Sequence, residues 1–175
     1  MFARSKKSII EICDYLVSKG VQCKAFTFDL NIHERDAILN QFRNNELKVL
    51  ITSDVLAHGI DIPYAYLVIN LKTPIKIYEK KSSFPSNSRR ITVPDCDTYF
   101  YRCGRAGRFG REGLCFTFVL GQNDENNLKS FCSYKNLNIP LNFISKEQIT
   151  RLPEEISDER TIPQTSQEIV DKDDE

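Results

Sequence analysis

The 175-residue chain is 41% hydrophobic and 27% charged, the composition of a globular domain long enough to bury a core without staples. No run approaches the roughly 20 apolar residues that span a bilayer, nothing at the start reads as a secretory leader, and six scattered cysteines with no CxxC pair argue against a disulfide framework or a zinc site. The 24 basic and 24 acidic side chains cancel overall, but residues 151–175 hold nine acids and three bases while residues 1–150 hold 21 bases and 15 acids, so a mildly basic body suited to a polyanion carries an acidic tail.

Phe2 to Lys6 reads as the end of a strand, and so abrupt a start leads us to expect further sequence upstream. Ser5 then caps a helix with an apolar stripe of Ile9, Ile12, Cys13 and Leu16, ending at Gly20. Residues 22–26 form a short strand, and Asn31 and Glu34 have the spacing of a capping box opening a helix that carries Ile38, Leu39 and Phe42. Lys48–Thr52 and Tyr66–Asn70 are apolar runs expected of strands covered on both faces. Residues 97–106 are read as a helix, Leu114–Leu120 as a buried strand and Asn123–Tyr134 as a closing helix. Alternating strands and helices predict an α/β sandwich on a largely parallel sheet, with ligands beyond the carboxyl ends of its strands. Residues 75–96, polar and holding two prolines, are expected to be an inserted loop, and the chain from 151 to 175 a flexible acidic tail.

Two stretches carry chemistry. Arg102, Arg105, Arg108 and Arg111 recur every third residue, interleaved with Gly104, Gly107, Gly110 and Gly113. Guanidinium forks match phosphate oxygens, and glycine lets the backbone approach a ligand, so the run suits a polyphosphate; a solvated basic turn is the alternative. The stretch TSDVLAHGID (52–61) offers hydroxyls and carboxylates at a strand end, a pattern that equally serves as a helix cap.

In this order and spacing, TSDVLAHGID followed by GRAGRFGREG (104–113) resembles the second RecA-like domain of DEAD-box RNA helicases, over residues 1 to about 150. Phe2–Lys7 resembles motif IV, Glu34–Asp36 motif IVa, Ser53–Asp61 motif V, Val68–Pro74 motif Va and Tyr101–Arg108 motif VI. Within the family the chain is similar to translation-initiation-factor-type helicases and to the helicase of the SMN complex. The resemblance implies a single RecA-like three-layer sandwich. It implies arginine fingers at Arg105 and Arg108, a nucleotide contact at Gly59 and Asp61, and RNA-backbone contacts from Ser5, Lys6, Arg35, Ser53 and Asp54. It also implies ATP and Mg²⁺ held mainly by an N-terminal RecA-like domain, a cytoplasmic or nuclear setting, no membrane and no metal site of its own. These residues contain no GxxxxGK[ST] and no DEAD sequence, so the chain alone is expected to be inactive as an ATPase.

The chain departs from the family pattern where His58 and Tyr101 replace an arginine and a histidine that couple the domains. Ile32, Phe28 and Lys72 replace a glutamine, a glycine and an aspartate. These changes, with no motor motif present, support an alternative: a stand-alone RNA-binding or scaffolding module, with protein partners, that kept the fold and lost the motor.

Overall fold

The computed structural model describes residues 1–54, 65–80, 89–107, 113–136, 142–145 and 148. Its elements are α1 (Lys6–Ser18), β1 (Cys23–Phe26), α2 (Ile32–Arg43), β2 (Val49–Thr52), β3 (Leu67–Asn70), β4 (Ile75–Lys80), β5 (Arg89–Pro94), α3 (Cys96–Cys103), β6 (Leu114–Thr117) and α4 (Gln122–Cys132), followed by a short 3₁₀ turn at Tyr134–Asn136. Both early helix starts follow from local side-chain chemistry. Ser5 Oγ accepts from Ser8 N at 3.2 Å. The Asn31–Glu34 capping box is complete, with Glu34 N on Asn31 Oδ1 at 3.0 Å and Asn31 N on Glu34 Oε2 at 2.8 Å.

β1 pairs parallel with β2 from Cys23↔Val49 to Phe26↔Thr52, and β3 parallel with β6 from Leu67↔Leu114 to Asn70↔Thr117. Phe2 joins the two halves, bridging in parallel to Thr52 on one side and Asn70 on the other. Its N–H reaches Ile69 O at 2.8 Å and its carbonyl accepts from Leu71 N at 3.0 Å. The order is therefore β1, β2, the 1–3 segment, β3, β6, all parallel. The Met1 amine donates to Leu50 O at 2.6 Å, and its burial beside the Arg102 guanidinium pulls its pKa down to about 5.

Because side chains alternate across a strand, the sheet offers two apolar faces. Ala3, Cys23 and Ile51 face α1 and pack with Ile9 and Cys13. Phe26 and Leu50 face the opposite way, packing with Ile38 of α2 and with Leu47. Phe2 and Val68 lie beneath Tyr101 of α3 and Ala106. Helices on both faces of a parallel sheet make the expected three-layer α/β sandwich.

Two expectations are corrected. Residues 75–80 and 89–94 are an antiparallel ribbon in register from Ile75↔Pro94 to Lys80↔Arg89, where a loop was expected. Its base is fastened by Lys76 Nζ to Asp95 Oδ1 at 3.0 Å and by Asp95 N to Pro74 O at 3.1 Å. Leu114–Leu120 is not a fully buried strand: β6 ends at Thr117, and Phe118, Val119 and Leu120 are exposed. Among the described residues β6 pairs only with β3, so one side has no neighbouring strand to cover it.

The chain divides into two compact units, Met1–Ile139 and Pro140–Glu175. In the second, Ser145 and Gln148 bond reciprocally, backbone N to side-chain oxygen, at 2.8 and 3.3 Å. The expected tail, 151–175, lies outside the described residues. No helix among those described is long and apolar enough to cross a membrane.

Candidate nucleotide and nucleic-acid interface

Parallel strands end on the same edge of a sheet, so Ala3–Ser5, Thr27–Asp29, Ser53–Asp54 and Leu71–Thr73 emerge together. Where the loops of a parallel sheet converge at that edge, ligands have their place. What organises it here is Arg102, whose side chain is 3% exposed. Its Nε and Nη2 grip the two oxygens of Asp54 at 2.5 and 2.7 Å, the bidentate geometry a guanidinium favours. Nη1 donates to Asn70 Oδ1 at 3.2 Å and to Lys72 O at 2.9 Å, and the guanidinium carbon lies 5.3 Å from the Phe2 ring centroid. Asn70, fully buried, is satisfied on its other side by Thr117 Oγ1 at 3.2 Å. One side chain from α3 thus ties together the ends of β2 and β3 and the central strand.

Arg102 was expected among the phosphate-facing arginines of the repeat, but it is buried and its guanidinium is spent on internal partners. The signal was there: Arg102 stands three after Tyr99, which turns inward to stack on Phe131 at 4.3 Å, so both lie on one side of α3. An arginine on an inward helical stripe is placed to hold the fold rather than to meet solvent.

Arg105 follows the helix, half-buried, with its guanidinium 4.0 Å from the Tyr101 ring centroid. The backbone then turns through Gly107 at φ +67°, a conformation costly for any residue with a side chain. A Cβ on Gly113 would collide with Gly107 N and sit 2.7 Å from Ala106 Cβ. Gly107 and Gly113 therefore abut, and only glycine fits at 113. Arg108, Gly59 and Asp61 lie outside the described residues.

The expected RNA contacts gather around Phe28. Lys6 Nζ pairs with Asp29 Oδ2 at 2.9 Å and lies 5.8 Å from the Phe28 ring centroid; its hydrogen bond holds the Asp29 carboxyl down at about 2. Arg35 Nη2 donates to Phe28 O at 2.6 Å. Phe28 and Ile32, the residues expected to replace a glycine and a glutamine, are both well exposed. Ser5 serves as the α1 cap, Ser53 is half-buried, and both oxygens of Asp54 are engaged by Arg102. Among the described residues no three His, Cys, Asp or Glu side chains converge as a metal would require.

Residues 1–110 match the family described as the helicase conserved C-terminal domain. The chain belongs to that family. A curated relative, DEAD-box ATP-dependent RNA helicase 38 of Oryza sativa subsp. japonica, is 34% identical over 153 residues, covering 86% of this chain. The solved C-terminal domain of the DEAD-box protein Dbp5 superposes with a TM-score of 0.71 at 31% identity, covering 89% of this chain and 79% of that one. S. cerevisiae Dbp5 bound to RNA and ADP BeF3 gives 0.72 at 31% identity, covering 89% of this chain and 36% of that one. This helicase C-terminal domain is of the DEAD-box kind, and it spans 28% of the rice relative's length.

Proposed function

We propose that this domain is the C-terminal half of an ATP-dependent RNA helicase, completing a nucleotide site whose P-loop and Mg²⁺ ligands belong to an N-terminal RecA-like domain. Arg105 and Arg108 neutralise charge on the transferring phosphoryl group, while Gly59 and Asp61 meet the nucleotide ribose. Ser5, Lys6, Arg35, Ser53 and Asp54 hold RNA through phosphates and 2′-hydroxyls, so recognition is largely indifferent to sequence. The setting is cytoplasmic or nuclear.

The observation that carries this reading is the Arg102 clamp. Arg102 holds Asp54 in the RNA-facing stretch with two hydrogen bonds and stands three residues before Arg105 in the nucleotide-facing stretch. A clamp of this kind suits a domain in which closure on RNA and placement of an arginine finger must occur together. The stand-alone alternative draws on a different observation: Phe28, where the family pattern has a glycine, stands well exposed at the edge expected to meet RNA.

The test is ATP turnover with the N-terminal RecA-like domain of a DEAD-box relative fused ahead of this chain. RNA-stimulated hydrolysis is expected, falling by roughly 10³-fold or more on Arg105→Ala, as when an arginine finger is removed. This chain alone is expected to show no turnover. Hydrolysis by the fusion that is indifferent to Arg105→Ala would overturn the finger assignment. RNA binding without any stimulated turnover would favour the stand-alone module.

A further inference from the structure

The cysteines form two close pairs, and the two pairs differ in environment. Cys13 and Cys23 lie 3.4 Å apart, sulfur to sulfur, within the core between α1 and β1, where burial pushes the Cys13 thiol up to about 11. Cys103 and Cys115 are closer, 3.1 Å, and lie toward the surface: Cys103 is half-buried at the last turn of α3 and Cys115 exposed on β6. We propose that Cys103 and Cys115 are a covalent modification site, forming a reversible disulfide under a peroxide-class oxidant.

The surroundings divide the labour between the sulfurs. The Cys103 thiol is pulled down by the hydrogen bond from Cys115, with help from the Tyr99 hydroxyl and the neighbouring Arg102 charge. Cys115 is pushed up by that same hydrogen bond. Cys103 is therefore the thiolate that reacts and Cys115 the thiol that resolves. Peroxide oxidises the Cys103 thiolate to a sulfenic acid and leaves as hydroxide. The Cys115 sulfur then attacks the sulfenic sulfur, the S–O bond breaks, and water departs with the Cys115 proton. The two sulfurs lose two electrons in all, and peroxide accepts both.

The position gives the bond a consequence. Cys103 immediately precedes Gly104 and Arg105, so the disulfide would fasten the end of α3, two residues before Arg105, to β6. The chemistry stands on the geometry of α3 and β6 and does not depend on the helicase reading.

The experiment treats the folded chain with about one equivalent of hydrogen peroxide, alkylates the remaining thiols and digests with trypsin. Cleavage after Arg102, Arg105, Arg111 and Lys129 separates the two cysteines, so a bond appears as peptide 103–105 linked to peptide 112–129. The expected result is this linked pair as the principal oxidised product, absent from Cys103→Ser and from Cys115→Ser, present in Cys13→Ser, and released by dithiothreitol. The rate should fall at least tenfold when the chain is first unfolded in urea. Oxidation of Cys96 or Cys132 ahead of this pair would overturn the proposal, as would equal rates in folded and unfolded chains.

Discussion

Replacing Arg102 by leucine removes a cation that touches Asp54, Asn70, Lys72 and Phe2 at once. The substitution leaves Asn70 Oδ1 in a fully buried side chain with no donor, and an acceptor stranded in this way costs about 1–3 kcal/mol. Asp54 loses both of its guanidinium bonds, but its side chain is 34% exposed and partly rehydrates, so its share is discounted. The sum is about 2–4 kcal/mol. In a chain of this length that corresponds to a fall in Tm of about 4–16 °C. The chain has no tryptophan, so far-UV circular dichroism during guanidinium or thermal unfolding is the appropriate signal. Asp54→Asn should cost a similar amount by leaving the Arg102 charge buried with a weaker partner. The double variant should be less destabilised than the two losses added, by about 1–3 kcal/mol. An Arg102→Leu protein within about 0.5 kcal/mol of the parent, or strict additivity in the double variant, would refute the clamp.

Three further outcomes follow from named contacts. Gly113→Ala should lose about 1–3 kcal/mol in chemical denaturation because its Cβ runs into the backbone at Gly107; an unchanged midpoint would mean that Gly107 and Gly113 do not abut. Asn31→Ala should cost about 1 kcal/mol by breaking the capping box, and replacing Glu34 as well should add less than Glu34→Ala costs alone. Lys6 holds the Asp29 carboxyl down at about 2 in the folded chain against an ordinary 3.8, so between these values the unfolded chain binds the extra proton. Stability should therefore fall as pH drops from about 4 to 2, and Lys6→Met should flatten the pH dependence of the midpoint in that window.

The sheet and its helices were legible because their signals are local. Ser5, Asn31 and Glu34 announce helix starts, and short apolar runs at 48–52 and 66–70 announce strands. The ribbon at 75–94 was not, because its alternation is interrupted by cations and prolines, and neither strand lies against the core strongly enough to impose a clean period of two. β6 was overextended because Phe118, Val119 and Leu120 are as apolar as a buried strand, and sequence does not reveal that one side of β6 lacks a neighbour. Arg105 was singled out by its repeat, whereas Arg102 in the same repeat has a different task. Its partners stand at positions 2, 54, 70 and 72, and no window around residue 102 contains them.

Phe2 at the middle of the sheet has a consequence for how the chain is made. It leaves the ribosome before either of its neighbours, Thr52 and Asn70, has been synthesised. At about 5–20 residues per second, the wait until Asn70 emerges is roughly 3–14 s. Until Thr52 emerges the apolar 1–3 segment has nothing to pair with, and until Asn70 follows its other side stays an open edge, the kind of surface on which nascent chains aggregate. Closure also waits on Arg102, thirty-two residues later than Asn70. Contacts this distant along the chain make for slow folding, so a chaperone that shelters this segment until Arg102 has emerged should raise the yield of folded protein more than one that acts after release.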